Sequence, residues 1–127
     1  MNEPVAPASV APPAAAYALA VTSTTGSSLL HTSGILGTRP DGSIADDFGE
    51  QAAEVWRSIS AILAEAGFAP TDIVSYTTYA VVGHDLGAVM AARDAALQGH
   101  LAASTLIPVP ALARPEWKIE ISVVAAR

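Results

Sequence analysis

The feature that most constrains the fold is one amphipathic helix with both ends marked, followed closely by a β-strand. Asp47 and Glu50 form a capping-box pattern. Gly67 and Pro70 mark the end of the helix. Between them, apolar residues recur at steps of three and four: Phe48, Ala52, Val55, Ile59, Ile62 and Ala66. Because such a stripe must be buried against another element, this order predicts a helix packed on a β-sheet.

The rest of the chain supplies a second helix and more strands. Residues 17–21 and 28–32 are short apolar runs separated by Thr, Ser and Gly, which predicts a hairpin. His84-Asp85 precedes a second helix that Gly99 ends, and one side of it carries Leu86, Val89, Met90, Arg93 and Leu97. The strands include 73–82, 105–109 and 117–123. We therefore predict an α+β fold, with two helices on one face of a mixed sheet.

Length and composition limit the number of domains, the location of the protein and its partners. With 127 residues the chain suits one domain, and we predict a loose Ala/Pro-rich tail at 1–15 followed by a single domain at 16–127. No long apolar run predicts a membrane span, and the first residues lack the basic start of a signal peptide, which indicates a cytoplasmic protein. A net charge of −6 with only six Lys and Arg disfavours nucleic acid as a partner.

Standard signatures of catalysis are missing from the sequence. It contains no cysteine, no phosphate-binding GxxxxGK[ST], no dinucleotide GxGxxG, no HExxH and no GxSxG. His31, His84 and His100 share no ligand spacing, and each has an ordinary structural interpretation. We expect neither a metal nor a cofactor.

Glu120 is the most prominent candidate, because it interrupts the apolar strand around Ile119 and Ile121. One interpretation is that Glu120 points outward and pairs with Lys118, two residues away on the same face. The other is that it faces a cavity at a subunit boundary, where it acts as an acid or base. The pattern alone leaves both open.

Several polar residues could join Glu120 in a ligand site. Ser33-Gly34 ends a strand and could present a hydroxyl and a backbone N–H to a ligand oxygen, although an ordinary turn is the commoner case. Tyr17 could close a pocket or lie in the core. Ser104 and Thr105 could donate hydrogen bonds or simply begin a strand.

Four segments in this order resemble the RidA/YjgF family of reactive-intermediate deaminases: 16–21 (AYALAV), 30–34 (LHTSG), 59–67 (ISAILAEAG) and 119–121 (IEI). The resemblance covers nearly the whole chain after residue 15. It implies a chorismate-mutase-like fold and a homotrimer with small-molecule pockets between subunits. It also implies hydrolysis of imines derived from amino acids, with Tyr17, Ser33, Gly34 and Glu120 at the positions of the family's site residues.

The chain departs from the family pattern at three site positions. Ser104 stands where the family has the arginine that binds the substrate carboxylate, Met90 where it has asparagine, and Leu106 where it often has cysteine. Arg93 or Arg114 could replace the missing arginine, but we interpret both as solvent-exposed. Since a guanidinium–carboxylate contact is worth about 1.5–3 kcal/mol or more, its loss argues against ordinary 2-iminoacid deamination.

Two functions follow from these observations. The first is a RidA-like hydrolase or lyase with imine or enamine chemistry, Glu120 as acid/base, and a substrate without the usual amino-acid carboxylate. The second is a non-catalytic trimer that binds a metabolite or regulates another protein. Cleavage of RNA is disfavoured by the acidic composition.

Overall fold

A computed structural model describes residues 2–9, 12–13, 15–23 and 28–127. The two helices are α1 (Phe48–Glu65) and α2 (Leu86–Leu97), and a short 3₁₀ turn, Pro70–Asp72, precedes the fifth strand. The strands are β1 (Asn2–Val5), β2 (Ala20–Ser23), β3 (Leu29–His31), β4 (Ile35–Leu36), β5 (Ile73–Val81), β6 (Ala103–Val109) and β7 (Ile119–Ala126). None of the helices in these residues is long and apolar enough to cross a bilayer.

The main sheet is mixed and has the order β3-β7-β5-β6, with β4 pairing to β7 as well. β5 and β6 are parallel and are joined through α2, whereas β7 is antiparallel to β3, β4 and β5. Both helices pack on the same side of this sheet. The predicted α+β architecture, with two helices on one face of a mixed sheet, is confirmed.

α1 begins and ends where the sequence predicts. The Asp47 carboxylate accepts a hydrogen bond of 2.9 Å from the Glu50 N–H, and Gly67 adopts the left-handed φ of +80° that glycine tolerates. Most of the predicted stripe is buried. At its C-terminal end, however, Leu63 is buried while Ala66 is exposed, because the helix ends at Glu65.

The two faces of the sheet differ in character. We call the side under the helices the covered face; on β7 it carries the buried side chains Ile119, Ile121, Val123 and Ala125. The other side is the open face. By strand alternation and register it carries Thr77, Tyr79, Thr105, Ile107, Glu120, Ser122 and Val124. All of these are half-buried or exposed.

The predicted hairpin of residues 17–21 and 28–32 was wrong. β2 pairs with β1, and β3 pairs with β7, where His31 lies opposite Val124. Two short apolar runs separated by Gly and Ser look like a hairpin whether or not they pair with each other, since the pattern does not identify the partner strand.

A second difference lies in the stretch predicted to be a loose tail. Asn2–Val5 form β1, and the Asn2 side-chain amide donates to the backbone oxygens of Asp72 and Ala126 at 3.1 and 3.2 Å. This short strand has no periodic pattern, because most of its residues are exposed. The division of the chain into a tail and a domain at residue 15 stays a prediction.

Candidate active site

The predicted site residues form two clusters in the chain. The open-face cluster consists of Ser33, Gly34 and Glu120, on the sheet side away from the helices. The edge pocket is a cavity of about 210 Å³ beside β6, lined by Ala15, Tyr17, Met90, Arg93, Ser104 and Leu106. It gathers four of the predicted positions and one arginine that we expected to be exposed.

Pairing with β7 fixes the backbone of the open-face cluster. The Thr32 N–H donates to the Val123 oxygen at 3.0 Å, and the Thr32 hydroxyl accepts from the Val123 N–H at 2.9 Å. After Ser33-Gly34 the chain joins β7 again, where Leu36 lies opposite Glu120. The Ser-Gly turn is therefore anchored on both sides, next to Glu120.

Gly34 leaves space that the Glu120 carboxylate occupies. A Cβ atom added at Gly34 would come within 2.6 Å of the Glu120 carboxyl carbon, much closer than real contacts allow. Any other residue at position 34 would have to displace the carboxylate or the turn. Gly34 therefore lets the Glu120 carboxylate lie directly over the turn, and a larger residue at this position would shift the end of that flexible side chain.

The Glu120 side chain lies on the open face of the sheet. Its neighbours Ile119 and Ile121 are buried in the core, so alternation directs the half-buried Glu120 to the opposite face. Among the described residues its carboxylate makes no hydrogen bond or ion pair, and the alternative pairing with Lys118 is not formed. An unpaired carboxylate on this face is available to a ligand.

Ser104 and Thr105 point to opposite sides of β6. Ser104 lies in the edge pocket under α2, whereas Thr105 lies on the open face, in register with Thr77. Tyr79 is paired with Glu120 on one side and Ile107 on the other, so Glu120 and Thr105 share a face but not a strand pair. In a single chain, Ser104 and Glu120 cannot contact one ligand directly.

The edge pocket forms where the chain runs along the edge strand. The Ala18 N–H donates to the Ala102 oxygen at 2.9 Å, and Ala18 bridges to Ala103, which places the half-buried Tyr17 beside β6. From above, α2 contributes Met90 and, one turn later, Arg93. Tyr17, Met90 and Arg93 therefore line one pocket together with Ser104.

The interpretation of Arg93 as solvent-exposed was wrong. Arg93 is 8% exposed, and it donates from Nε to the Asp94 carboxylate at 3.0 Å. The signal was present in the sequence, because Arg93 shares the apolar side of α2 with Val89 and Leu97, both buried. Arg114 is exposed as expected, lying 5.2 Å from the Trp117 ring centre.

The histidines stay apart in the structure. The His84 ring stacks on Phe48 at 4.6 Å, while Asp85 acts as the N-cap of α2. His100 lies 2.8 Å from the Ile73 oxygen through Nε2. Within the part of the chain that the structure describes, no three His, Cys, Asp or Glu residues form a metal-binding group.

Sequence comparison now identifies the family. The sequence model of the endoribonuclease L-PSP family matches residues 8–127. The chain belongs to this family. It is the RidA/YjgF family that the sequence segments resemble. A search of curated proteins finds no sequence match.

Solved structures of the family share the fold. The Rid family protein YyfB from Yersinia pestis is 29% identical, with a TM-score of 0.88 over 99% of this chain and 98% of its own. RidA from the Antarctic bacterium Psychrobacter sp. PAMC 21119 is 24% identical (TM-score 0.73, covering 91% and 92%). E. coli TdcF with bound serine is also 24% identical (TM-score 0.74, covering 96% and 93%).

Proposed function

We propose that this L-PSP family member is a RidA-like enzyme that hydrolyses the C=N bond of a small imine, or of the imine formed when an enamine tautomerises, in pockets between the subunits of a homotrimer. The observation that carries the proposal is the Glu120 carboxylate, half-buried, unpaired among the described residues and held against Gly34. Gly34 leaves the space in which this carboxylate lies over the Ser33-Gly34 turn.

Assembly would unite the two clusters. The open-face cluster and the edge pocket lie on opposite sides of one sheet, so a single chain cannot offer both to one ligand. In the proposed trimer, the open face of one subunit, with Glu120 and Thr105, meets the edge pocket of its neighbour. Tyr17, Met90, Ser104 and Leu106 of that pocket then complete the site. Covering the open face would also bury Ile107, which is 38% exposed in the single chain.

The proposed reaction needs only water as a co-reactant. Glu120 accepts a proton from a water molecule as the water oxygen bonds to the imine carbon, and the proton passes to nitrogen. Glu120 then takes the hydroxyl proton of the carbinolamine and passes it to nitrogen, the C–N bond breaks, and ammonia and a carbonyl product form. Ser33 and the Gly34 N–H would hold the oxygen that forms.

Whether the substrate carries a carboxylate is separate from the reaction at its C=N bond. A substrate without the amino-acid carboxylate was predicted because position 104 holds serine, and the prediction assumed an exposed Arg93. That assumption was wrong, so the proposed reaction is defined by the C=N bond and not by the absence of a carboxylate. TdcF, which binds serine, supports a ligand of amino-acid size.

A non-catalytic binding role is the second candidate. It is favoured by the edge pocket, which is complete within one chain and lies on the face opposite Glu120. Nucleic acid remains disfavoured as a partner, because the chain has a net charge of −6 and only six Lys and Arg.

The test is turnover of small imines by Glu120→Gln. We expect ammonia release to fall by about 10²–10⁴-fold, because the amide cannot accept the proton from water. Ammonia is measured with imines generated in the assay, both with and without a carboxylate.

The matched control is Glu65→Gln, which makes the same chemical change at an exposed residue at the end of α1. It should keep full activity. Sedimentation equilibrium on all three proteins should give three times the 12.9 kDa chain mass. Unchanged turnover in Glu120→Gln would remove Glu120 from the mechanism, and a ligand recovered unchanged from a protein with no turnover would favour the binding role.

A further inference from the structure

A buried arginine that faces a cavity without a carboxylate needs an explanation. The Arg93 side chain is only 9% exposed, and arginine is rarely buried without a partner of opposite charge. Its one ion pair, with Asp94, uses Nε and joins it to a carboxylate that is itself 57% exposed. Solvent weakens such a pair, so Asp94 compensates only part of the buried charge.

The far end of the guanidinium is unused. Nη1 and Nη2 make no hydrogen bond to any described residue, and neither is among the buried polar atoms that are sealed off without a partner. Both nitrogens therefore keep some solvent access on a side chain that is otherwise enclosed and that lines the edge pocket. Two adjacent N–H donors in one plane match the geometry of a carboxylate or phosphate.

The other walls of the edge pocket suit the body of a small acid. Ala15, Met90 and Leu106 provide an apolar surface, whereas Tyr17 and Ser104 add hydroxyl groups. None of the described residues that line the pocket is a carboxylate, and the Asp94 pair uses Nε, so Nη1 and Nη2 are left for a ligand. The volume of about 210 Å³ is equivalent to roughly seven water molecules, enough for an acid with a few carbon atoms.

We propose that Arg93 is the anion-binding residue of the edge pocket and gives the site specificity for small carboxylates or other oxyanions. The positive charge thus comes from α2, through the helix-covered side of the sheet, and not from β6. This inference rests on the proposed function only in using the same pocket, since it requires no step by Glu120.

Equilibrium binding of butyrate and butyramide tests the proposal. The two ligands have the same size, and neither contains a C=N bond, so turnover does not enter. By calorimetry we expect the natural protein to bind butyrate at least about tenfold more tightly than butyramide. Arg93→Met keeps a long unbranched side chain and should bring the two affinities to within about twofold.

The control variant is Asp94→Asn. It removes the ion pair but leaves the guanidinium, and it should retain the preference for butyrate. Equal binding of butyrate and butyramide by the natural protein would overturn the proposal, as would a preference that persists in Arg93→Met. Competition by inorganic phosphate would support recognition of oxyanions in general, and selectivity for butyrate would support recognition of carboxylates.

A spectroscopic test covers the case in which Arg93→Met does not fold. In the ¹H–¹⁵N spectrum of the natural protein, the Arg93 Nε–H signal, assigned by its change in Asp94→Asn, should shift with butyrate and not with butyramide. An Arg93 Nε–H signal that butyrate does not shift would contradict the proposed role of Arg93. Binding through Arg93 without ammonia release would support this inference and contradict the proposed reaction. Ammonia release without Arg93-dependent binding would support the reaction and contradict this inference.

Discussion

The two faces of the central strand β7 serve different purposes. On the covered face Ile119, Ile121 and Val123 are at most 1% exposed and hold the helices on the sheet. On the open face the alternate residues, Glu120 and Ser122, are half-buried and lie on the side of the sheet away from the helices. Every second residue of β7 therefore packs in the core, and the residues between them are available to a ligand. Substitutions at neighbouring positions should differ strongly in their effect on stability.

The largest effect should come from truncating a covered-face residue. Ile121→Ala leaves a cavity in a fully buried position and should lower the free energy of unfolding by about 3–4 kcal/mol. Ser122→Ala, one residue along, should change it by less than about 0.5 kcal/mol. Urea unfolding of both variants measures the difference. Similar losses would mean that Ser122 is packed as tightly as Ile121 and that the two faces of β7 do not differ in this way.

A smaller loss of stability is expected from replacing Gln51, a buried residue of α1 that bonds to the backbone just before β7. The Gln51 side chain, 2% exposed, donates to the backbone oxygens of Ala45 and Glu116 at 2.8 and 2.9 Å and accepts from the Lys118 N–H at 3.0 Å. Gln51→Met keeps its size but leaves these groups unpaired. We expect a loss of about 2 kcal/mol in urea unfolding and faster hydrogen exchange at the Lys118 amide. An unaltered Lys118 amide would show that Gln51 does not anchor the start of β7.

The smallest effect should arise in the exposed turn at Asp41, which belongs to neither face. Hydrogen bonds from the Ser43 hydroxyl (2.7 Å) and the Ser43 N–H (2.9 Å) hold the pKa of Asp41 below its ordinary value of 3.8. Because the folded pKa is lowered, these bonds stabilise the turn above the ordinary value, and that contribution is lost as pH falls through the folded pKa. In Ser43→Ala an NMR titration of the Asp41 carboxyl should show the pKa rising towards 3.8. No rise would mean that the hydroxyl is not the main cause.

The fold was predictable wherever local pattern and burial coincide. α1 was predicted from its cap, its apolar stripe and Gly67, and β5 from its β-branched and aromatic residues, because each signal is contained within one element. The pairing of β3 with β7 was not predictable in this way. Residues 32–118 separate the two strands, and the short run Leu29–His31 carries no mark of its partner.

The candidate site was predictable as a set of residues but not as a geometry. Strand alternation from Ile119 to Ile121 suggested a special role for Glu120, yet only the strand register shows that Ser104 lies on the other face. Arg93 was placed on the correct side of α2, but its burial was not predicted. The apolar stripe gave its direction, but the sequence could not show that Tyr17 and β6 would enclose it.

The position of β7 has a consequence for synthesis of the protein. β3, β4 and β5 all pair with β7, which comes later in the chain than any of them. At roughly 5–20 residues per second on the ribosome, β3 waits several seconds for its partner. During that time the nascent chain carries unpaired strand edges and an uncovered helix stripe, the kind of surface that favours aggregation, until β7 has been made.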